Sequence, residues 1–185
     1  MFIKINRLMK KIGLLGSLIL GITFLFSFVQ EDIASVVKKV HHDNMKEIML
    51  ATMAKEKASS EEIRNYANML ILDHTTMGDE LATFAADQNI DLSGVRIEDS
   101  VLPLDSLQNL TPVQFDSWFK AKAIETHEAT IGYFQSVIAN MAIDNAEIKT
   151  WMESKLPGLK SHLSAAQGLS IAEMPTDTTN VIIRQ

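Results

Sequence analysis

Residues 54–63 read Ala54-Lys55-Glu56-Lys57-Ala58-Ser59-Ser60-Glu61-Glu62-Ile63. A serine followed by two glutamates and an apolar residue marks a helix N-terminus, because the hydroxyl can accept from free N–H groups and the carboxylates suit the positive end of the helix dipole. The preceding stretch, residues 31–58, contains no glycine or proline, so it reads as a helix that stops only where another begins. The two form a tight helical hairpin.

Working outward, the second helix runs from about Glu61 to Asn89. Ile63, Leu70, Met77 and Phe84 recur every seventh residue, Ala67, His74 and Leu81 lie on the adjoining track, and Gly78 is its one weak position. From Ile90 to Leu110 the periodicity dissolves into Asp, Ser, Gly94 and Pro103, with at most a turn of helix near 104–110. Thr111, Pro112 and Gln114 then supply an N-cap, a first-turn proline and the last residue of a capping box, opening a third helix to about Ala142. Asp144 and Asn145 cap a fourth that ends near Gly168, where Pro157 should bend the axis or split the helix after Leu156. Two hairpins joined by a crossover of about 20 residues predict an all-α, ferritin-like four-helix bundle over 31–169, with a loose tail over 170–185.

Residues 1–30 carry Lys4, Arg7, Lys10 and Lys11 and no acid, ahead of 19 uncharged residues, Ile12 to Gln30. As a helix that run spans roughly 28 Å, the lower edge of what crosses a bilayer. It reads as a signal peptide or a retained membrane anchor. Ser27 with Leu25 is an indifferent cleavage site, so both remain open. The flanking charges place the rest of the chain on the far side of the membrane, in the periplasm or tethered facing it.

The whole chain is 185 residues with a net charge of −6, no cysteine, and 46% apolar against 6% aromatic residues. Without the basic leader the body is more acidic still, which argues against nucleic acid and anionic lipid as partners. The absence of cysteine excludes disulfides, thiolate metal sites and cysteine nucleophiles. No phosphate-binding glycine loop or nucleophile elbow is present, so an enzyme is disfavoured although not excluded.

The candidate chemistry lies inside the bundle. At roughly 100° per residue, the middle of the first helix's stripe of Ile33, Val36, Val40, Ala51, Ala54 and Ala58 is occupied by Glu47, with Asn44 beside it. The corresponding residues are His74 in the second helix and His127 in the third, among Ala123, Thr130, Phe134, Val137 and Met141. In the fourth it is His162, among Ile148, Trp151, Leu159, Ala166 and Leu169. An unpaired buried carboxylate would cost several kcal/mol, so Glu47 must be neutral, bonded, hydrated or ligated. Glu47, His74, His127 and His162 are the candidate ligands for one divalent ion of zinc, iron, copper or manganese, with Asp73 and Glu128 flanking. That set could also serve a metal-dependent enzyme. The competing reading is a structural polar network, in which neutral histidines donate to Glu47 and to backbone carbonyls and fix helix register without any ligand.

A di-iron site would need Glu-x-x-His pairs, and the residues three before the histidines are Ile71, Ile124 and Leu159. Met45, Met49 and Met53 form a row opposite Glu47, a packing surface, a soft-metal site, or a face for a protein partner or a second copy. His41 and His42, near the start of the first helix, read as solvated. Lys55 to Lys57 with Glu61, Glu62 and Arg64 read as a wet hairpin end.

Several of these residues, in combination, resemble a known family. They are Glu47-Ile48, the segment Ala54 to Ser60, Tyr66-Ala67, Asp73-His74, Phe115-Asp116, His127-Glu128, Leu156-Pro157 and His162-Leu163. Over about 33–167 the chain resembles the bacterial exported domain-of-unknown-function family numbered 4142, whose members are often labelled predicted outer membrane proteins. Tyr66 stands where that family usually has Phe. The resemblance implies export and a ferritin-like bundle, and no established activity.

Overall fold

The computed structural model describes residues 32–97, 107 and 109–171. The leader, the remainder of the 98–108 segment and the tail from 172 lie outside the described residues. Among the described residues four long helices make up the fold: α1 (Ile33–Lys57), α2 (Glu61–Asp87), α3 (Pro112–Ala139) and α4 (Ala146–Gly168). Among the described residues no helix is long and apolar enough to cross a membrane.

Each boundary has a local cause. The Asp32 carboxylate accepts from Ser35 N–H at 2.7 Å and starts α1. Ser60 caps α2 through Ile63 N–H. At α3 the expected capping box is complete, with Gln114 N–H donating to Thr111 Oγ1 and Thr111 N–H donating to Gln114 Oε1. Asn145, not Asp144, caps α4, its Oδ1 accepting from Ile148 N–H at 3.0 Å.

Three expectations need correction. The second helix stops at Asp87, because Asn89 takes a left-handed φ of 54° and Ile90 N–H closes back onto Ala85 O at 2.8 Å. This is the Schellman arrangement that asparagine tolerates. The third helix ends at Ala139 rather than Ala142, since Asn140 Oδ1 turns to accept Ala142 N–H and the Asn140 carbonyl accepts from Lys149 Nζ. Met141 is consequently 95% exposed and not part of the core stripe. Finally, α4 runs unbroken through Pro157. Pro157 and Glu153, whose carbonyl the ring leaves without an N–H, both lie on the exposed face, where water can serve that carbonyl.

Two apolar clusters give the topology. One joins Val36, Val37 and Val40 of α1 to Leu81 and Phe84 of α2, Phe134 and Val137 of α3, and Ile148 and Met152 of α4. The other joins Leu50 and Ala54 to Ile63 and Leu70, Phe115 and Phe119, and Ala166. The first therefore gathers the start of α1 and α4 with the end of α2 and α3, and the second gathers the opposite ends. It follows that α2 and α3 run parallel, and the chain must return the length of the bundle between them. Ile90 and Leu92 pack on the first cluster and Leu110 on the second, as that path requires. This is an all-α four-helix bundle with one long crossover, the ferritin-like arrangement.

Between the clusters lies a polar layer. Asn44, Glu47, His74, His127 and His162 are all buried. A further buried polar residue, Asp116, sits at the hairpin end. Its carboxylate accepts from Ser59 N–H at 3.1 Å, Ser59 Oγ–H at 2.5 Å and Ser60 N–H at 3.1 Å, tying the α1–α2 turn onto α3.

Candidate metal centre

Helix packing brings the three predicted histidines to one point. Their ring centroids form a nearly equilateral triangle, 5.7 Å between His74 and His127, 5.5 Å between His74 and His162, and 5.4 Å between His127 and His162. One ring nitrogen from each lies within 4.8 Å of those of the other two.

The outward nitrogens decide what the inward ones are. Asn44 Nδ2 donates to the His74 carbonyl at 2.8 Å, which orients the amide so that its Oδ1 accepts from His74 Nδ1–H, also at 2.8 Å. His127 Nδ1–H donates to Ala123 O one turn earlier, at 2.8 Å. His162 Nε2–H donates to Asp73 Oδ2 at 2.8 Å. A neutral imidazole has one N–H. His74 Nε2, His127 Nε2 and His162 Nδ1 are thus lone-pair acceptors, and all three are buried with no hydrogen-bond partner.

Burial keeps His74 and His127 neutral. It holds His74 down to about 3, with further repulsion from His127 and His162. His127 is held at about 4 by the same burial, against the opposing pull of its bond to Ala123 O. Three converging acceptors without a donor form an electrostatic conflict. A water at the centre could donate to two of them and would leave the third unanswered. A cation answers all three, and the chemistry of the donor set fits one. Nitrogens sharing a first-row ion stand roughly 3.3–3.6 Å apart, so the rings need to draw inward by only a fraction of their spacing.

Glu47, expected as the fourth ligand, stands outside the triangle. Counted from the hairpin, Asn44 is as far before Ser59 as His74 is after it, so Asn44 and not Glu47 is level with His74. Glu47 lies a turn nearer the hairpin, where it faces Thr126 and is pushed up to about 7, chiefly by burial, against the pull of Thr126 and Lys46. Gly78 explains how Asn44 fits. A Cβ there would come within 2.9 Å of Asn44 Nδ2, so the weak position of the second helix is a seat for the amide.

Of the flanking acids, Asp73 bonds to His162 and Glu128 lies exposed on the outer face of α3. Met45, Met49 and Met53 are half-buried, and Met53 packs on the hairpin-end cluster. His42 meets Asp43 Oδ1 at 3.1 Å. His41, expected in solvent, is half-buried, its Nδ1 wholly so and without a partner, and burial lowers its proton affinity. Arg64 is not free in water either, since its Nη1 donates to Ala58 O and Ser59 O and closes the turn. Asn44 and Asp116 are the residues whose roles sequence reasoning missed. The level of Asn44 opposite His74, and the place of Asp116 seven residues before Ala123 on the inward stripe, were the available signals.

The titrations set a pH dependence for the metal-free protein. Unfolded histidines take protons below about 6.5, whereas native His74 and His127 do not until about 3 to 4, so their contribution to stability is present above 6.5 and is lost as pH falls. Glu47 acts oppositely. Native Glu47 keeps its proton to about 7 against 4.5 unfolded, so its contribution is full below 4.5 and lost as pH rises through 7. Between 4.5 and 6.5 the unfolded chain holds a net excess of one proton, and stability should fall by about 1.4 kcal/mol per pH unit of acidification. Half-buried His41 adds in the same direction. Urea unfolding across this range with chelator present measures the slope, and His127→Gln should flatten most of it.

The fold has a relative among solved structures. One titled "CopM in the Cu(II)-bound form" superimposes with a TM-score of 0.59 at 18% identity, covering 74% of this chain and 93% of that one. That likeness is one of fold. No curated protein matches the sequence. The family model described as "Domain of unknown function (DUF4142)" matches residues 28–169, most of the chain and all four helices, and the protein belongs to that family.

Proposed function

We propose that this protein is an exported metal-binding bundle of the cell envelope, which holds one transition-metal ion between His74, His127 and His162. The observation that carries the reading is the set of three buried ring nitrogens, each made an acceptor by an outward bond and none provided with a donor. A network built only to fix helix register would direct its histidines at Glu47 and match acceptors to donors. Here the outward bonds go to Asn44, Ala123 and Asp73, and the inward side is left to a cation. The Asp73–His162 bond is the carboxylate–histidine pairing that orients a metal ligand and raises its basicity.

With Glu47 beside the site rather than in it, the ligand set is all imidazole, which suits copper or zinc and is a poor match to manganese. Copper is the ion assigned first, in keeping with the Cu(II) named for the protein that shares the fold. When bound, the ion supplies a fixed positive charge and a Lewis-acid centre in the middle of the bundle. Asn44, Ala123 and Asp73 keep the three lone pairs aimed at it, and the apolar clusters on both sides exclude bulk water.

Equilibrium dialysis of chelator-stripped protein against Cu(II) and Zn(II) tests the assignment. One ion per chain is expected, together with its loss in His127→Ala and its retention in Glu47→Gln. An unmetallated wild type, or a His127→Ala variant that still binds one ion, contradicts it.

A further inference from the structure

Three imidazoles fall one short of the four ligands that zinc takes in a tetrahedron and Cu(II) in a square plane, and the described residues bring no other carboxylate or imidazole into the triangle. What reaches the histidines from solvent therefore decides what the remaining position can bind. His74 and His162 both line a groove of about 210 Å³ between α2 and α4, whose walls include Thr76, Ser154, Lys155 and Gly158. The opposite groove, about 230 Å³ between α1 and α3, has Glu47 in its lining and touches none of the three histidines. The hollow beyond Glu47 touches His74 alone and measures about 10 Å³, room for one water at most. Of these three hollows, the α2/α4 groove alone reaches two of the histidines.

The acids of the α2/α4 groove are engaged, Asp73 with His162 and Glu80 with both Lys155 and Trp151 Nε1. Neither is free to swing in as a fourth ligand without breaking those bonds. An ion held by three neutral imidazoles keeps its full positive charge, so the favoured newcomer is an anion. On the walls, Lys155 is paired with Glu80, and the Thr76 and Ser154 hydroxyls donate to Leu72 O and Trp151 O, so the attraction for an anion comes from the ion itself.

We propose that the open coordination position faces the α2/α4 groove and takes a small monodentate anion from solvent. The inference rests on the three-histidine reading and adds to it a second, exchangeable ligand and its route.

The test is a titration of the Cu(II)-loaded full-length chain with azide, followed by ligand-to-metal charge-transfer absorption. The expected result is a saturable band at one azide per copper. Gly158→Phe should fill the groove, since a Cβ at this exposed position meets nothing within 4 Å. Thr76→Trp obstructs the same groove from its other wall. Both variants should hold copper at wild-type stoichiometry and bind azide at least about tenfold more weakly. Ala129→Phe, in the α1/α3 groove, should bind azide as wild type does. Copper-loaded wild type with no azide band overturns this inference alone, as does undiminished azide binding in both groove variants or its loss in Ala129→Phe. A wild type that takes up no copper overturns the three-histidine reading, and this inference with it.

Discussion

Cu(II) at a thousandfold excess over its dissociation constant should stabilise the native chain by about 4.1 kcal/mol, raising Tm by roughly 8–16 °C for a domain of this size. The reason is that the ligands exist as a set only in the folded state. His74, His127 and His162 come from α2, α3 and α4, and the crossover between α2 and α3 separates the first from the other two. An unfolded chain offers isolated imidazoles and binds far more weakly. His127→Leu removes a ligand at similar volume and should abolish the shift, which calorimetry with and without metal measures directly. The same variant separates the two readings of the buried layer. A register-fixing network would lose stability in chelator when a member is deleted. Three opposed lone pairs would be relieved, because Ala123 O keeps its helical N–H donor and Asn44 and Asp73 keep their histidines. His127→Leu should therefore stay within about 1 kcal/mol of wild type without metal, and lose only the stabilisation that metal provides.

The other large effect is remote from the histidines. Asp116→Ala should cost about 2–3 kcal/mol, because it takes the common acceptor from the Ser59 and Ser60 N–H groups and the Ser59 hydroxyl at a partly buried turn. Ser60 is also the cap of α2, so its misplacement loosens the start of that helix. Asp116→Asn should cost less, as the amide oxygen still accepts while its NH₂ confronts a donor. Denaturant unfolding gives both values, and wild-type metal stoichiometry in whatever Asp116→Asn remains folded would confirm that this tie serves the hairpin and not the site. A loss below about 1 kcal/mol for Asp116→Ala would contradict the account of the turn.

The helices were legible because their signals are local. Ser60 ahead of Glu61 and Glu62, and Thr111-Pro112 with Gln114, are cap chemistries complete within four residues, and both start where they should. Ends were harder to place. Whether α3 continued past Ala139 depended on Asn140 turning its side chain back to Ala142, a choice that periodicity does not record. The continuity of α4 through Pro157 likewise depends on which face the proline occupies once the helix has docked.

The inward direction of Glu47, His74, His127 and His162 was readable from the 100° advance per residue, and all four are buried. What the stripe could not supply was height to better than a turn. Glu47 lies three residues from the level of His74, about 4.5 Å at the helical rise, an offset small for pairing long side chains and large for sharing an ion, and it places Glu47 against Thr126 while Asn44 meets His74. The choice of ring nitrogen was out of reach as well. His162 faces inward with Nδ1 and the other two with Nε2, and this follows from Asp73, Asn44 and Ala123, contacts that exist only after the helices assemble. Asp73 was visible as a flanking acid one residue from His74, yet its partner is His162 on another helix.

The most direct measurement is diffraction from crystals of the copper-loaded chain, with an anomalous difference map at the copper edge. The account predicts one peak within bonding reach of His74 Nε2, His127 Nε2 and His162 Nδ1, with the Glu47 carboxyl unligated. A peak on the Met45–Met49–Met53 row or beside His41 and His42, with the three imidazoles left bare, would contradict it.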